Sequence, residues 1–365
     1  MKTLLFIDSL TSGGAQRQMV GLAKLLKSNR YQVTIATYFN VPFYADFLKQ
    51  NDIGYECIQN SGNKLLRIFL IVKFFRRYRP ELVISYLDTP NILAILVRFF
   101  GCRYKLIVSE RNTTQELTFR EKIKFFLFRF ADYIVPNSYS QTNFITTHYP
   151  QLAPKIETIT NFVDTDFFKP AEIDHTGEPL KILIVGRIAP QKNVHKFIRT
   201  ISAVIESGVK IQVDWYGNGF MNDGMSNELS SYYIECLGLI KIHHLENQFI
   251  FHQPVKDVRS VYQTCDVFCL PSLYEGFPNV ICEAMACAKP ILASNICDNP
   301  NLVSEGFNGF LFDPDSIEEM KNAILKYNRL SPETKAQMAE NSRNLALSNF
   351  SAAGFVSKYL KLIKN

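Results

Sequence analysis

The sequence predicts an α/β protein of two doubly wound, parallel-sheet domains. Short apolar strands alternate with helical stretches from the N-terminus onward, the pattern of parallel strands joined by crossover helices. The alternation breaks in a stretch rich in Asp, Pro and Gly within residues 156–181 and restarts at residue 182. A length of 365 residues, 47% hydrophobic and 20% charged, suits two globular cores better than one. The expected domains are residues 1–168 and 169–345, with 346–365 a terminal helix packing back on the first domain.

The first strand is expected at residues 4–7, where an apolar run ends at Asp8. Ser9, Ser12, Gly13 and Gly14 lead from it into a helix whose apolar positions Ala15, Met19, Leu22, Ala23 and Leu26 follow helical spacing. A Gly-Gly turn ahead of a helix lets backbone N–H groups approach an anion, with the helix dipole behind them. The same turn also arises for backbone geometry alone. Further strands are expected at 32–37, 82–86, 105–109 and 134–136, and helices at 43–50 and 91–100. Glu110, Arg111 and Asn112 follow the strand at 105–109, at the carboxyl edge where open α/β sheets hold ligands.

Two helices of this half, 65–79 and 119–130, are dense in Phe, Ile and Leu interleaved with Arg and Lys. Such a surface suits the membrane–water interface, with rings inserting and cations meeting anionic headgroups. Equally, the apolar faces can cover the sheet while the charges stay in water. Charge favours the first reading: residues 1–170 carry 22 Lys/Arg against 13 Asp/Glu, a net of +9, whereas the remainder is −3.

The second half opens with a strand at 182–185 and the loop Gly186-Arg187-Ile188-Ala189-Pro190-Gln191-Lys192-Asn193. Asn193 is expected to N-cap a helix carrying Val194, Phe197, Ile198 and Ile201. Arg187 and Lys192 then project beside a helix start, an arrangement suited to a diphosphate or, failing a ligand, to two solvated loop cations. A strand at 212–216 meets the turn Gly217-Asn218-Gly219, followed by a helix at 227–237, a strand at 249–251 and a helix at 257–263. Then comes a buried strand at 267–270, a Pro/Ser loop, and a helix opening after Pro278. Glu275 stands in that loop and Glu283 in the helix, so two carboxylates flank a Gly276-Phe277-Pro278 turn. Read alone, they also fit a helix start with acidic side chains near its positive end. A strand at 290–293 and helices at 316–327 and 332–362 complete the chain.

Eight cysteines with no CxxC pair read as buried, reduced thiols and give neither a disulfide framework nor a zinc site. Asp164 with Asp166, and Asp313 with Asp315, form DxD pairs, but their linker and loop settings argue against a metal. No stretch reaches the ~18 apolar residues that span a bilayer. The first apolar run is too short for a signal peptide, so a cytoplasmic or peripheral protein is expected. No GxGxxG opens the first helix and no P-loop is present, which disfavours a dehydrogenase or an NTPase. Nucleic acid is not an expected partner.

GGAQR near the start, GRIAPQKN at the second domain's first loop, NFVDTDFF at the linker and EGFPNVICEA further on resemble the retaining family-four glycosyltransferases, in the type that builds bacterial surface polysaccharide. The resemblance spans essentially the whole chain, and the two glutamates stand eight apart as that family's motif requires. It implies a GT-B fold, two Rossmann-like domains facing across a cleft, with a nucleotide-sugar donor, UDP-linked, held between them. By position, Arg187 and Lys192 would hold the donor diphosphate, with Gly14 adding backbone N–H groups. Glu283 would bond the ribose hydroxyls, and Glu275 the sugar hydroxyls with the backbone of Gly276 and Phe277. Gly217 and Gly219 match a nucleotide-lining turn.

The implied reaction moves a hexose or N-acetylhexosamine with retention to a lipid-linked or growing polysaccharide acceptor, such as lipopolysaccharide, O-antigen, capsule or exopolysaccharide. Arg and Lys stand in for a metal and no cofactor is needed. One departure concerns the acceptor side: relatives often carry a His after the strand that here ends at Ser109, and this chain has Glu110-Arg111-Asn112. Glu110 is then a candidate to orient the acceptor hydroxyl, or it forms a structural ion pair with Arg111. A catalytically silent scaffold in a polysaccharide-assembly complex, or a GT-B epimerase or phosphorylase, are the alternatives.

Overall fold

The computed structural model describes all residues except 12, 42, 59–62, 115, 172–176, 221–228 and 256. Ser12, the first residues of the helix expected at 227–237, and part of the expected linker therefore lie outside the described residues. The chain divides into two compact units, Met1–Phe162 with Ala352–Asn365, and Val163–Ser351.

The first unit runs β1 (Lys2–Phe6), α1 (Gly14–Ser28), β2 (Gln32–Thr37), α2 (Ala45–Gln50), β3 (Gly54–Cys57), α3 (Lys64–Tyr78), β4 (Leu82–Tyr86), α4 (Asp88–Phe99), β5 (Lys105–Glu110), α5 (Phe119–Phe128), β6 (Tyr133–Pro136) and α6 (Tyr139–His148). The second runs β7 (Leu180–Val185), α7 (Val194–Glu206), β8 (Ile211–Tyr216), α8 (Ser231–Ile242), β9 (Phe249–His252), α9 (Val258–Gln263), β10 (Val267–Leu270), α10 (Asn279–Ala286), β11 (Ile291–Ser294), α11 (Asn299–Leu302), β12 (Gly309–Phe312), α12 (Ile317–Asn328) and α13 (Pro332–Asn349). The last helix, α14 (Ala352–Lys364), belongs to the first unit.

Each unit is a six-stranded parallel sheet of the same connectivity, β3-β2-β1-β4-β5-β6 and, read from the other end, β9-β8-β7-β10-β11-β12. Central strands are buried along their length, as β4 and β10 are, because helices cover both faces. In the first unit one core joins the sheet to α3, α4 and α5, and the other joins it to α1 and α14. In the second, one core includes α7, α8 and α12 and the other α9 and α10. The connection reverses direction between β1 and β4 and between β7 and β10, and such a switch point leaves a crevice at the strands' carboxyl ends.

Several local expectations are corrected. The edge strands β3 and β12 escape the sequence reading because four residues beside a Gly carry little periodicity. The helical stretch expected at 332–362 is broken at Phe350 and Ser351 into α13 and α14, so the terminal helix starts at Ala352 and not at 346, and the chain changes unit at that break. Asn193 does precede α7, but in a left-handed conformation, φ 59°, and its amide donates to the Pro314 carbonyl (2.7 Å) instead of capping. Five of the eight free cysteines are buried, whereas Cys57, Cys102 and Cys297 are half-buried. Burial pushes the Cys265 and Cys287 thiols up to about 12, well away from thiolate chemistry.

Candidate functional site

In the second unit the loops after β7 and β10 flank the switch point, and these two loops carry five of the expected site residues: Arg187, Lys192, Glu275, Gly276 and Phe277. The loop at 186–193 is anchored from below by Trp215, the chain's single tryptophan, whose Nε1 donates to the Gly186 carbonyl at 2.8 Å. Gly186 N in turn donates to Tyr216 O (2.9 Å) and Ile188 N to Asn218 O (3.0 Å). A Cβ on Gly217 would stand 1.9 Å from the Gly186 carbonyl oxygen, so only glycine permits this approach. Gly217→Ala is expected to destabilise the second unit by roughly 1–3 kcal/mol. The check is a lower urea midpoint by Trp215 fluorescence, which reports on this unit. A Cβ on Gly219 would meet the Tyr233 ring at 2.6 Å, so this glycine also serves close packing.

The loop at 186–193 is stitched to the loop at 271–278. Leu273 N donates to Gln191 O (2.8 Å) and the Gln191 amide to Tyr274 O (2.8 Å). Lys192 Nζ pairs with Glu275 Oε1, and both side chains are largely buried. Arg187 is exposed, with no ion pair or hydrogen bond from its side chain among the described residues. Two cations, one engaged and one open, thus stand at the carboxyl edge of β7.

Glu283 sits one turn inside α10, in the helix where the sequence placed it, and is buried. Tyr262 of α9, itself fully buried, donates its hydroxyl to Glu283 Oε2 at 3.0 Å. Sequence reading missed Tyr262; its only signal was a tyrosine on the helix before β10. Phe277 packs its ring against Phe350 (5.8 Å between centroids), so its side chain belongs to the core and only its backbone, with that of Gly276, is open to other use.

Gly14 and Glu110 lie in the first unit. Gly14 is exposed and opens α1, whose first turn carries no acidic residue. Glu110 ends β5 with its side chain fully buried. It does not pair with Arg111. Arg111 lies over the Tyr86 ring (4.0 Å) and donates to Ser109 Oγ (2.8 Å), Asn161 Oδ1 (2.5 Å) and Tyr359 OH (2.9 Å). Glu110 instead faces Lys124 of α5 (3.0 Å), which also contacts Asp88 (3.2 Å) and Glu121 (2.5 Å).

Three carboxylates around one buried ammonium leave a surplus of negative charge. Burial and the neighbouring Asp88 outweigh Lys124 and push the Glu110 carboxyl up to about 8. Burial works against the Lys124 charge, but Glu110 and Asp88 hold its ammonium above the ordinary lysine range. Glu110 keeps its proton more firmly folded than unfolded, so its contribution to stability is full below its ordinary 4.5 and is lost as pH rises through about 8. Glu110→Gln is therefore expected to flatten the fall in stability between pH 5 and 9 by roughly 1–3 kcal/mol. Urea midpoints by circular dichroism at the two pH values would check it.

The DxD pairs close on themselves: Asp164 Oδ1 accepts from Asp166 N (3.2 Å) and Phe167 N (3.0 Å), and Asp313 Oδ1 from Asp315 N (2.8 Å). Among the described residues no group of three or more His, Cys, Asp or Glu is arranged to hold a metal ion.

Comparison with known proteins agrees with this architecture. The family model described as Glycosyltransferase Family 4 matches residues 12–167, and that described as Glycosyl transferases group 1 matches 166–345. A Campylobacter jejuni N-acetylgalactosamine-N,N'-diacetylbacillosaminyl-diphospho-undecaprenol 4-alpha-N-acetylgalactosaminyltransferase is 25% identical over 308 residues, 80% of each chain. A second C. jejuni enzyme, a GalNAc-alpha-(1->4)-GalNAc-alpha-(1->3)-diNAcBac-PP-undecaprenol alpha-1,4-N-acetyl-D-galactosaminyltransferase, is 24% identical across 100% of this chain and 98% of its own. Anabaena HepE, crystallised with UDP, superposes with a TM-score of 0.84 at 21% identity over 100% of both chains. With a Family 4 module in its first half and a group 1 module in its second, each on a six-stranded parallel sheet, the chain belongs to the GT-B glycosyltransferases.

Proposed function

We propose that this glycosyltransferase moves a hexose or N-acetylhexosamine, with retention, from a UDP-sugar to a lipid-diphosphate-linked acceptor in surface-polysaccharide assembly. The observation that carries the reading is the loop pair at the β7/β10 switch point, where Lys192 is held against Glu275 beside the open Arg187. The C. jejuni relatives, whose names specify undecaprenol-linked substrates, support the acceptor class, and HepE, crystallised with UDP, supports the nucleotide.

Arg187 and Lys192 bind the donor diphosphate. Glu283, oriented by Tyr262, accepts from the ribose hydroxyls, an ionised carboxylate being suited to a diol. Glu275 and the backbone of Gly276 and Phe277 hold the sugar, with Gly217 and Gly219 shaping the nucleotide side. The bond from the anomeric carbon to the diphosphate breaks as the acceptor oxygen bonds to that carbon on the same face, and the acceptor proton passes to the leaving phosphate oxygen. Charge growing on the diphosphate is stabilised by the two cations, which makes a metal unnecessary. Glu110, fully buried against Lys124, acts in positioning the edge of β5 and does not touch the acceptor. The lipid-linked acceptor places the enzyme peripherally, at the cytoplasmic face of the plasma membrane.

The test is a panel of UDP-sugars offered with a short-chain polyprenyl-diphosphate sugar. Transfer that survives EDTA and gives a product of the donor's anomeric configuration is expected. Inversion, metal dependence, or no transfer from any UDP-sugar would each remove the corresponding part of the reading.

A further inference from the structure

The two basic, aromatic helices of the first unit were open to a core reading and a membrane reading, and the structure divides their side chains. Ile71, Val72, Phe74 and Phe75 of α3 and Phe125 and Phe128 of α5 are buried in the sheet-covering core. That core accounts for the fold. It leaves unexplained a second set of rings on the outer side of the same helix layer.

Phe99 at the end of α4 is 58% exposed, Phe126 54% and Phe130 36%, with Phe100 beside Phe99 at 50%. These rings form one patch: Phe99 meets Phe130 edge-on at 5.1 Å, and Phe130 meets Phe126 at 6.3 Å. The Arg129 guanidinium lies over both Phe126 (4.5 Å) and Phe130 (5.0 Å), and Arg103 is exposed just past the end of α4. The nearby carboxylate of Asp132 is already paired, with Arg98 at 3.1 Å. The patch is therefore apolar and cationic, without a free acidic counterpart among the described residues.

We propose that this face, the end of α4 with the outer side of α5, docks on an anionic lipid bilayer. Clustered exposed rings on a soluble surface mark an interaction site. A second copy of the chain would bring Arg103 and Arg129 against cations of the same patch, whereas anionic headgroups are complementary to them. No described helix is long and apolar enough to cross a membrane, so the contact is interfacial: rings enter the headgroup boundary and guanidiniums stay at headgroup level. The inference rests on the proposed lipid-linked acceptor, since docking brings the enzyme to the surface where that acceptor lies.

The experiment is flotation of the full chain with phosphatidylcholine vesicles, with and without phosphatidylglycerol, at low and high salt. Wild type is expected to float with the anionic vesicles at low salt and to be released by salt. Phe99→Ser/Phe126→Ser and Arg103→Glu/Arg129→Glu should each lower the bound fraction at least about tenfold, with circular dichroism and thermal unfolding unchanged. The control Ile234→Ser/Leu237→Ser, which removes exposed apolar side chains of the second unit, should float as wild type does. Failure of wild type to float, or equal flotation of the patch variants, overturns the proposal. So does a wild-type dimer that the patch variants convert to monomer without any flotation, which would make the face a contact between copies. Transfer to a water-soluble acceptor separates the two readings: a protein that transfers but does not float loses only the docking, and one that floats but transfers nothing loses only the reaction.

Discussion

Replacing Lys192 by alanine is expected to lower sugar transfer by about 10²–10³-fold, with the loss mainly in kcat. The ammonium is held by Glu275 at the edge of β7, so no reorganisation is needed when charge develops on a departing diphosphate. A cation fixed there favours the transition state over the bound donor, which is why the effect should fall on kcat more than on KM. Glu283→Gln is expected to act differently. It weakens acceptance from the ribose hydroxyls in ground and transition states alike, and should raise KM for the donor while Tyr262 keeps a partner. Steady-state kinetics with the preferred UDP-sugar, beside thermal unfolding to show an intact fold, would distinguish the two. Unchanged turnover in Lys192→Ala would remove the diphosphate assignment.

The largest expected effect on stability is at Lys124. Lys124→Met keeps the length and apolar stem of the side chain but removes the one cation among Asp88, Glu110 and Glu121. Breaking a buried ion cluster from the cationic side costs about 3–5 kcal/mol. The carboxyls can recover part of that by binding protons, so the defect should shrink as pH falls toward 5 and grow toward 9. Amide exchange in β4, β5 and α5 is the suitable measurement, because the single tryptophan lies in the other unit and does not report directly on this one. Exchange unaffected by the substitution would mean the cluster contributes no net stability.

Much of the candidate site was legible because its residues lie in two short loops at strand ends and in the helix that follows the second of them. The motifs GRIAPQKN and EGFPNVICEA place Arg187, Lys192, Glu275 and Glu283 through local chain geometry alone: a strand fixes where the loop starts, and a helix where it stops. What brings the two loops together is not local. It depends on β7 and β10 being neighbours although their facing positions, such as Ile182 and Val267, stand 85 apart in sequence, a pairing set by the crossover connections of the whole sheet. Tyr262 and Trp215 were invisible as site residues for the same reason, since their partners Glu283 and Gly186 come from other elements.

Glu110 shows the limit most plainly. From sequence it was a carboxylate at a strand end, open to an acceptor hydroxyl or to its neighbour Arg111. Only packing decided between its partners. Arg111 turns inward to Asn161 and Tyr359, the latter supplied by a helix 248 residues further along, and Glu110 meets Lys124 from the helix that follows.

By itself the sequence determined the fold class, the alternation of elements, the loops that carry the candidate site residues and the basic character of the first half. Periodicity, glycine turns and charge are properties of short windows, so one chain suffices to reveal them. The tertiary structure alone decided which rings of α3 and α5 are core and which face outward, that Glu110 meets Lys124 and not Arg111, and that Lys192 meets Glu275. These depend on contacts between residues far apart in the chain, and no short window contains both partners.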